Sequence, residues 1–220
     1  MVRPRLFEVA FLRKPRRGGF TLLEASIVLS LMAVVMVLVT MYFVRAQRYA
    51  TDTEAYASVQ RDATVVLRKV TSDLYASTTK ELGFSDDQDA VWFLSSRSSE
   101  PGQPFVEFRA ETGKIVWRKW VCYYFEASSG KLFRAERALD SPDSELLTPP
   151  TPTPSLTYFQ TSPDVIRQAV GRKVALFRVS PTTRGVNVAL TTHGEAPLTN
   201  TTAEQRLIEC SLASQVTLIN

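Results

Sequence analysis

The strongest constraint in this sequence is a run of 20 uncharged residues at positions 25–44. At about 1.5 Å per residue, a helix of this length spans roughly the 30 Å hydrocarbon core of a bilayer. The run contains neither Pro nor Gly, and a helix can satisfy the hydroxyls of Ser26, Ser30 and Thr40 through its own carbonyl groups. It is too long for the apolar region of a secretory signal peptide, and no small-residue cleavage site precedes Arg45. The sequence therefore predicts one unbroken membrane-spanning helix.

One acidic residue, Glu24, directly precedes this run in the first turn of the predicted helix. A carboxylate inside a bilayer costs about 2.5–3.5 kcal/mol on insertion scales, so the position needs an explanation. In one interpretation, Glu24 stays hydrated at the interface and its charge complements the helix dipole. In the other, cleavage after Gly19 frees an α-amino group on Phe20, and Glu24 meets a positively charged N-terminus. The residues alone leave both interpretations open.

The segment Arg16-Arg17-Gly18-Gly19-Phe20-Thr21-Leu22-Leu23-Glu24, followed by the apolar run, resembles the processing site of type IV prepilins and type II secretion pseudopilins. This resemblance covers about 25 residues. It implies that a prepilin peptidase cuts between Gly19 and Phe20 and methylates the new N-terminal Phe20. It also implies that Glu24 pairs with the terminal amine of a neighbouring subunit in a filament.

The charge is unevenly distributed along the chain. Residues 1–19 carry six basic residues against one acidic residue, a net of +5, which leaves 20 basic and 21 acidic residues in the remainder. We interpret residues 1–19 as a cytoplasmic leader, because basic residues next to a membrane helix stay inside. The mature chain has a net charge near −1, which does not favour nucleic acid as a partner, although the sequence leaves open a local basic patch.

The helix is predicted to continue beyond the membrane. Apolar residues recur at helical spacing after Val44: Tyr49, Tyr56, Val59, Ala63, Val66, Val70 and Leu74. The charged residues between them form a solvated face of mixed sign. The helical region is therefore 20–80, divided into a transmembrane part at 20–44 and an amphipathic part at 45–80, with a continuous helix reaching about Ser77.

The remaining residues, 81–220, are expected to form a β-rich head. Runs of β-branched and aromatic residues separated by short turns predict antiparallel strands at 90–94, 105–109, 114–126, 131–137, 174–179 and 186–191. A proline-rich segment at 141–155 is predicted to be an extended surface loop. The expected fold class is α+β, a type IV pilin-like long helix packed on an antiparallel sheet.

Alternation within 114–126 places Ile115, Trp117, Val121, Tyr123 and Phe125 on one face of the sheet, with Lys119 as a charged exception. The opposite face carries Trp120, Cys122 and Tyr124. These aromatics either mark a subunit contact or lie under the C-terminal segment that contains Cys210, and we favour the second arrangement.

The two cysteines, Cys122 and Cys210, both fall outside the cytoplasm in this topology. An even number of cysteines in an oxidising compartment favours a disulfide between them, and two buried thiols that never meet are the alternative.

No catalytic constellation is present, and the sequence predicts neither an enzyme nor a bound cofactor or metal. The one histidine, His193, cannot build a multi-histidine zinc site. The acidic residues at 85–89 lack the Gly and the distal Glu of an EF-hand loop, so a solvated turn is favoured over a calcium site.

The resemblance therefore implies a structural protein of a bacterial inner membrane. Its N-terminus would be cytoplasmic and its head extracytoplasmic, and it would enter a pilus or pseudopilus beside other pilins. Degenerate matches at 123–134 and 216–220 are similar to the J-type minor pseudopilins and W-type minor pilins, which help to initiate assembly. A pilus-tip subunit that binds DNA during uptake is the alternative, and a signal-anchored surface protein outside any filament is a third interpretation.

Overall fold

The computed structural model of the chain describes residues 21–77, 82–97, 111, 113–143, 154–196 and 206–218. The chain forms two compact units, residues 1–47 and residues 48–220. Over the described residues the elements are one long helix, eight antiparallel strands and one short helix, which confirms the predicted α+β class.

The long helix, α1, runs from Leu22 to Leu74. It closes with two tight turns, in which the amides of Ala76 and Ser77 donate to the carbonyls of Asp73 and Leu74 at 3.1 and 3.0 Å. The amide of Ser96 then donates to the carbonyl of Ala76 at 3.3 Å. The helix therefore ends three residues before the predicted end near Ser77, because these bonds turn the chain toward the sheet. Residues 78–80 of the predicted helical region lie outside the described residues.

The strands form two sheets, one of five strands in the order β1-β2-β3-β4-β5 and one of three in the order β6-β7-β8. The larger sheet consists of β1 (Leu82–Phe84), β2 (Ala90–Ser95), β3 (Trp117–Glu126), β4 (Lys131–Asp143) and β5 (Ile166–Gly171). The smaller consists of β6 (Val174–Thr182), β7 (Gly185–Ala196) and β8 (Arg206–Thr217). All pairings are antiparallel.

One apolar core joins the second part of α1 to both sheets. The helix contributes residues at steps of three and four: Val59, Ala63, Val66, Val70 and Leu74. Phe93 and Tyr123 meet them from the larger sheet, and Phe177 and Leu190 from the smaller one. The predicted helical stripe is confirmed from Val59 onward. Its first two members, Tyr49 and Tyr56, are exposed.

The opposite face of the larger sheet carries a second core, covered by the short helix α2 (Leu156–Thr161). Phe159 of this helix packs with Trp120 and Tyr124, and Val165 belongs to the same cluster. These aromatics are therefore buried by the segment after the proline-rich region and do not lie under the segment that carries Cys210.

Trp117 also belongs to this second core, so its predicted face was wrong. The pairing of β3 with β4 shifts register between Trp117 and Lys119. Such an irregularity reverses the alternation of side chains on one side of the shift. Val121 and Tyr123 keep their predicted face toward α1.

Several predicted segments have different bounds in the structure. Strand β4 extends to Asp143 and takes in the first residues of the predicted loop at 141–155. The strand predicted at 105–109 lies outside the described residues, as do positions 144–153 of that loop.

Candidate functional site

The start of α1 is fixed by reciprocal hydrogen bonds between Thr21 and Glu24. The Glu24 amide donates to Thr21 Oγ1 at 3.3 Å, and the Thr21 amide and hydroxyl donate to Glu24 Oε2 at 3.1 and 3.2 Å. This is a capping box, in which each side chain satisfies an amide that the helix leaves unpaired. The structure therefore places the Glu24 carboxylate at the amino end of the helix.

Beyond Glu24, the first unit presents apolar side chains that the chain itself does not cover. Among the described residues, α1 is the one helix long and apolar enough to cross a membrane, and none of its most apolar 18-residue window is buried. The hydroxyls of Ser26, Ser30 and Thr40 donate to carbonyls one turn earlier, each at 2.8 Å. The helix thus satisfies its own polar groups, as expected of a segment in lipid.

A second site lies in the unit 48–220, where the side chain of Asp73 is only 3% exposed. Its Oδ2 accepts from Arg134 Nε and from the Tyr123 hydroxyl, each at 2.7 Å, and its Oδ1 accepts from Arg97 at 3.1 Å. The Asp73 carboxylate thus links α1 to β3 and β4, and also to Arg97, which lies two residues after the end of β2. Such a buried charge requires these partners.

The network continues along β4. Arg134 also donates to Glu136 Oε2 at 2.6 Å, and Lys119 donates to the same oxygen at 2.9 Å. Lys119 was the charged exception on the inward face of β3, and this pairing with Glu136 explains why it can be buried there.

The charges in this network shift one another's pKa values. Burial alone would raise the pKa of Glu136, but hydrogen bonds from Lys119 and Arg134 outweigh burial and lower it. Burial alone would lower the pKa of Arg134, but the Asp73 carboxylate raises it. Burial and Asp73 together raise the pKa of Tyr123, so that its hydroxyl remains a donor. These shifts favour the ionised forms of Glu136 and Arg134 and the neutral form of Tyr123.

In the comparison with protein families, a family model described as the prokaryotic N-terminal methylation motif matches residues 14–40. The matched stretch contains the Gly19–Phe20 junction, Glu24 and most of the apolar run. The match supports the assignment of this N-terminal segment to the class III signal peptides of type IV prepilins and pseudopilins. Comparison with curated proteins and with solved structures finds no match.

The methylation motif indicates the general class of function of a type IV pilin-like protein. Type IV pilins are structural proteins and not enzymes. The signal peptide implies processing by a prepilin peptidase and partners of the pilin type. The methylation motif and the apolar helix indicate anchoring in a membrane.

Two of the residues singled out from the sequence, Gly19 and Phe20, lie outside the described residues. Glu24 is placed in the first turn of α1, one residue before the apolar run.

The expected disulfide is absent: Cys122 and Cys210 are both free and buried. Cys122 lies in the core beneath α2, whereas Cys210 lies in the core beneath α1. The larger sheet separates these two cores, so the thiols do not meet. Burial also raises the pKa of Cys122, which keeps that thiol protonated.

The other residues considered as candidate sites, residues 85–89 and His193, lie in a turn and in a strand. Residues 85–89 form the turn between β1 and β2, in which the Ser85 hydroxyl donates to Asp89 Oδ1 at 2.6 Å. His193 lies in β7, and its amide donates to the Lys173 carbonyl at 2.8 Å. No cluster of metal-ligating side chains occurs among the described residues.

The Asp73 network is the part of the site that the sequence analysis missed, although two signals for it exist. Asp73 follows Val70 by three residues and therefore shares the buried stripe of α1. Lys119 is likewise a charged residue on a face, that of β3, that the sequence predicts to be apolar. Two opposite charges on faces that are predicted to meet are a signal for a buried ion pair.

Proposed function

We propose that this chain is a minor subunit of a type IV pilus or a type II secretion pseudopilus and helps to initiate filament assembly. The observation that carries the proposal is the position of Glu24, held at the amino end of an apolar, uncovered helix within the methylation motif. We further assign it to the W-type minor pilins or J-type minor pseudopilins, on the resemblance at 123–134 and 216–220.

In this proposal, prepilin peptidase cuts between Gly19 and Phe20 and methylates the amine of Phe20. The leader stays in the cytoplasm and the head lies outside the bacterial inner membrane. Leaving the bilayer, the helix exchanges lipid for the helices of other subunits. The Glu24 carboxylate then pairs with the N-terminal amine of a neighbour, an attraction that strengthens as the dielectric constant falls.

The capping box suggests a substitution that separates two roles of Glu24. Glutamine can take the place of glutamate in a capping box, so Glu24→Gln should keep the helix start while removing the charge. Glu24→Ala removes both. We expect Glu24→Gln to be processed and inserted normally but recovered in sheared filaments at about a tenth of the wild-type amount, since tenfold corresponds to one weak buried charge pair.

The matched control is Glu54→Gln, an exposed acidic residue on the same helix, which should enter filaments normally. Normal incorporation of Glu24→Gln would contradict the charge-pair role.

The alternative functions make different predictions. A DNA-binding tip subunit requires the purified protein to shift DNA at physiological salt, whereas an assembly subunit should not. A signal-anchored surface protein outside any filament would retain Met1.

A further inference from the structure

The Asp73 network forms the wall of an open cleft of about 560 Å³ between α1 and the larger sheet. Five cationic side chains line the cleft: Arg68, Lys69, Arg97, Lys119 and Arg134. Only two carboxylates, those of Asp73 and Glu136, line it with them. The lining therefore carries a net charge of +3, although the chain after residue 19 is close to neutral.

The inner part of this cleft is preorganised. Arg134 bridges Asp73 and Glu136, while Arg97 and Lys119 each bind one of these two carboxylates. Three cations thus share two anions in partly buried surroundings, and the hydrogen bonds already fix their positions. A further anion that enters the cleft would gain attraction without the entropic cost of ordering these side chains.

Arg68 and Lys69 add two more positive charges on the helical side of the cleft. Arg68 is exposed and Lys69 is half-buried, so an incoming group can reach them from solvent. Neither residue belongs to the apolar stripe of α1, and the core does not depend on them.

We propose that this cleft binds acidic side chains of a neighbouring pilin-type subunit. The assignment rests on the proposed function, which supplies a protein neighbour as the partner. Arginine guanidinium groups match carboxylates in a fork geometry, and the volume suits a few side chains. A groove that follows a nucleic-acid backbone would instead extend over several nucleotides and carry aromatic stacking platforms, and none of the nine lining residues is aromatic.

The test uses the full-length processed protein in micelles of an uncharged detergent and a fluorescent tetraglutamate peptide. We expect the peptide to bind with an affinity that falls as salt rises. The variant Arg68→Gln/Lys69→Gln should weaken binding by about five- to tenfold, in keeping with the loss of two accessible ion pairs. The matched control Arg48→Gln/Arg61→Gln removes the same charge from exposed positions of the helix outside the cleft, and it should change binding less than about twofold.

Absence of peptide binding, or equal weakening by both double variants, would overturn the proposal. Competition identifies the anion: inorganic phosphate or a single-stranded oligonucleotide that displaces the peptide more effectively than free tetraglutamate does would overturn the carboxylate assignment. Binding to the purified protein requires no filament. If the peptide binds but the wild-type protein is absent from sheared filaments, the proposed function fails; if the peptide does not bind but the wild-type protein is recovered in filaments, only the cleft assignment fails.

Discussion

Asp73 is the residue at which helix α1 is joined electrostatically to the larger sheet. Its carboxylate is buried and accepts hydrogen bonds from Tyr123, Arg97 and Arg134. A buried ion pair of this kind adds little net stability over an apolar pair, but it strongly penalises the loss of one member. It therefore specifies how this part of the helix is seated on the sheet.

The first prediction concerns Asp73→Asn. The substitution keeps the side-chain shape but leaves Arg134 with one carboxylate fewer, and we expect the free energy of unfolding to fall by about 3–5 kcal/mol. Urea unfolding of the full chain in detergent, followed by tryptophan fluorescence, measures this change. Asp62→Asn, an exposed charge on the same helix, should stay within about 0.5 kcal/mol of wild type. A loss below about 1 kcal/mol for Asp73→Asn would contradict the role of the network.

The second prediction concerns how the ionisation of Glu136 makes the stability of the protein depend on pH. Its pKa in the folded protein lies below the ordinary value of 4.5, so the folded state binds fewer protons than the unfolded state in that range. Its contribution to stability is complete above about pH 4.5 and is lost as the pH falls through the folded pKa.

We therefore expect Glu136→Gln to be less stable than wild type at neutral pH and to approach it at acid pH. Urea unfolding from pH 3 to pH 7 provides the comparison, with Glu54→Gln as the exposed control. A gap between wild type and Glu136→Gln that stays constant over this range would exclude the ion pairs as its cause.

At the scale of elements, the seating of α1 on the smaller sheet requires a residue without a side chain at position 194. A Cβ atom added to Gly194 of β7 would collide with the Val59 side chain of α1. The helix and the strand thus approach more closely here than any other residue would allow.

The third prediction is a double-mutant test of this contact. Gly194→Ala should lower the free energy of unfolding by about 1–3 kcal/mol through overpacking. In a Val59→Ala background, the same change should become neutral or slightly stabilising, because the collision is removed and alanine restricts the unfolded chain. Equal effects of Gly194→Ala in both backgrounds would show that the contact is not the cause.

The elements also show what the sequence could predict. The periodicity of α1 and the aromatic runs of β2 and β3 were sufficient to predict these three elements, because each signal is local and strong. Strand β5 was missed because it is short, its first four residues are exposed and show no alternation of buried and exposed positions, and its partner β4 lies far away along the chain.

The sheet face predicted for Trp117 was wrong for a related reason. A register shift against β4 moved this side chain to the other core, and no local pattern in β3 encodes such a shift. The capping box could have been read from Thr21 and Glu24, since the spacing is diagnostic. The cationic cleft could not have been predicted from the sequence. Its members come from α1, from β3, from β4 and from Arg97 after β2, and they converge only in the fold.

At the scale of the whole molecule, the chain combines segments suited to different surroundings. The basic residues 1–19 favour the cytoplasm, the apolar start of α1 favours lipid, and residues 48–220 fold around their own cores. The net charge changes from +4 for the full chain to about −1 when residues 1–19 are removed. A single cleavage would thus convert a cytoplasm-tethered protein into one with a free amine at the end of an apolar helix.

The mature N-terminus is the most direct test of this account. Mass spectrometry of the native protein isolated from membranes should identify a chain that begins at Phe20, is methylated on its amine and lacks residues 1–19. The variant Gly19→Val should instead retain the leader. A native protein that still begins at Met1, or an unmodified N-terminus at another residue, would contradict the account, because the terminal amine would then not lie on Phe20, where the account needs it to balance Glu24.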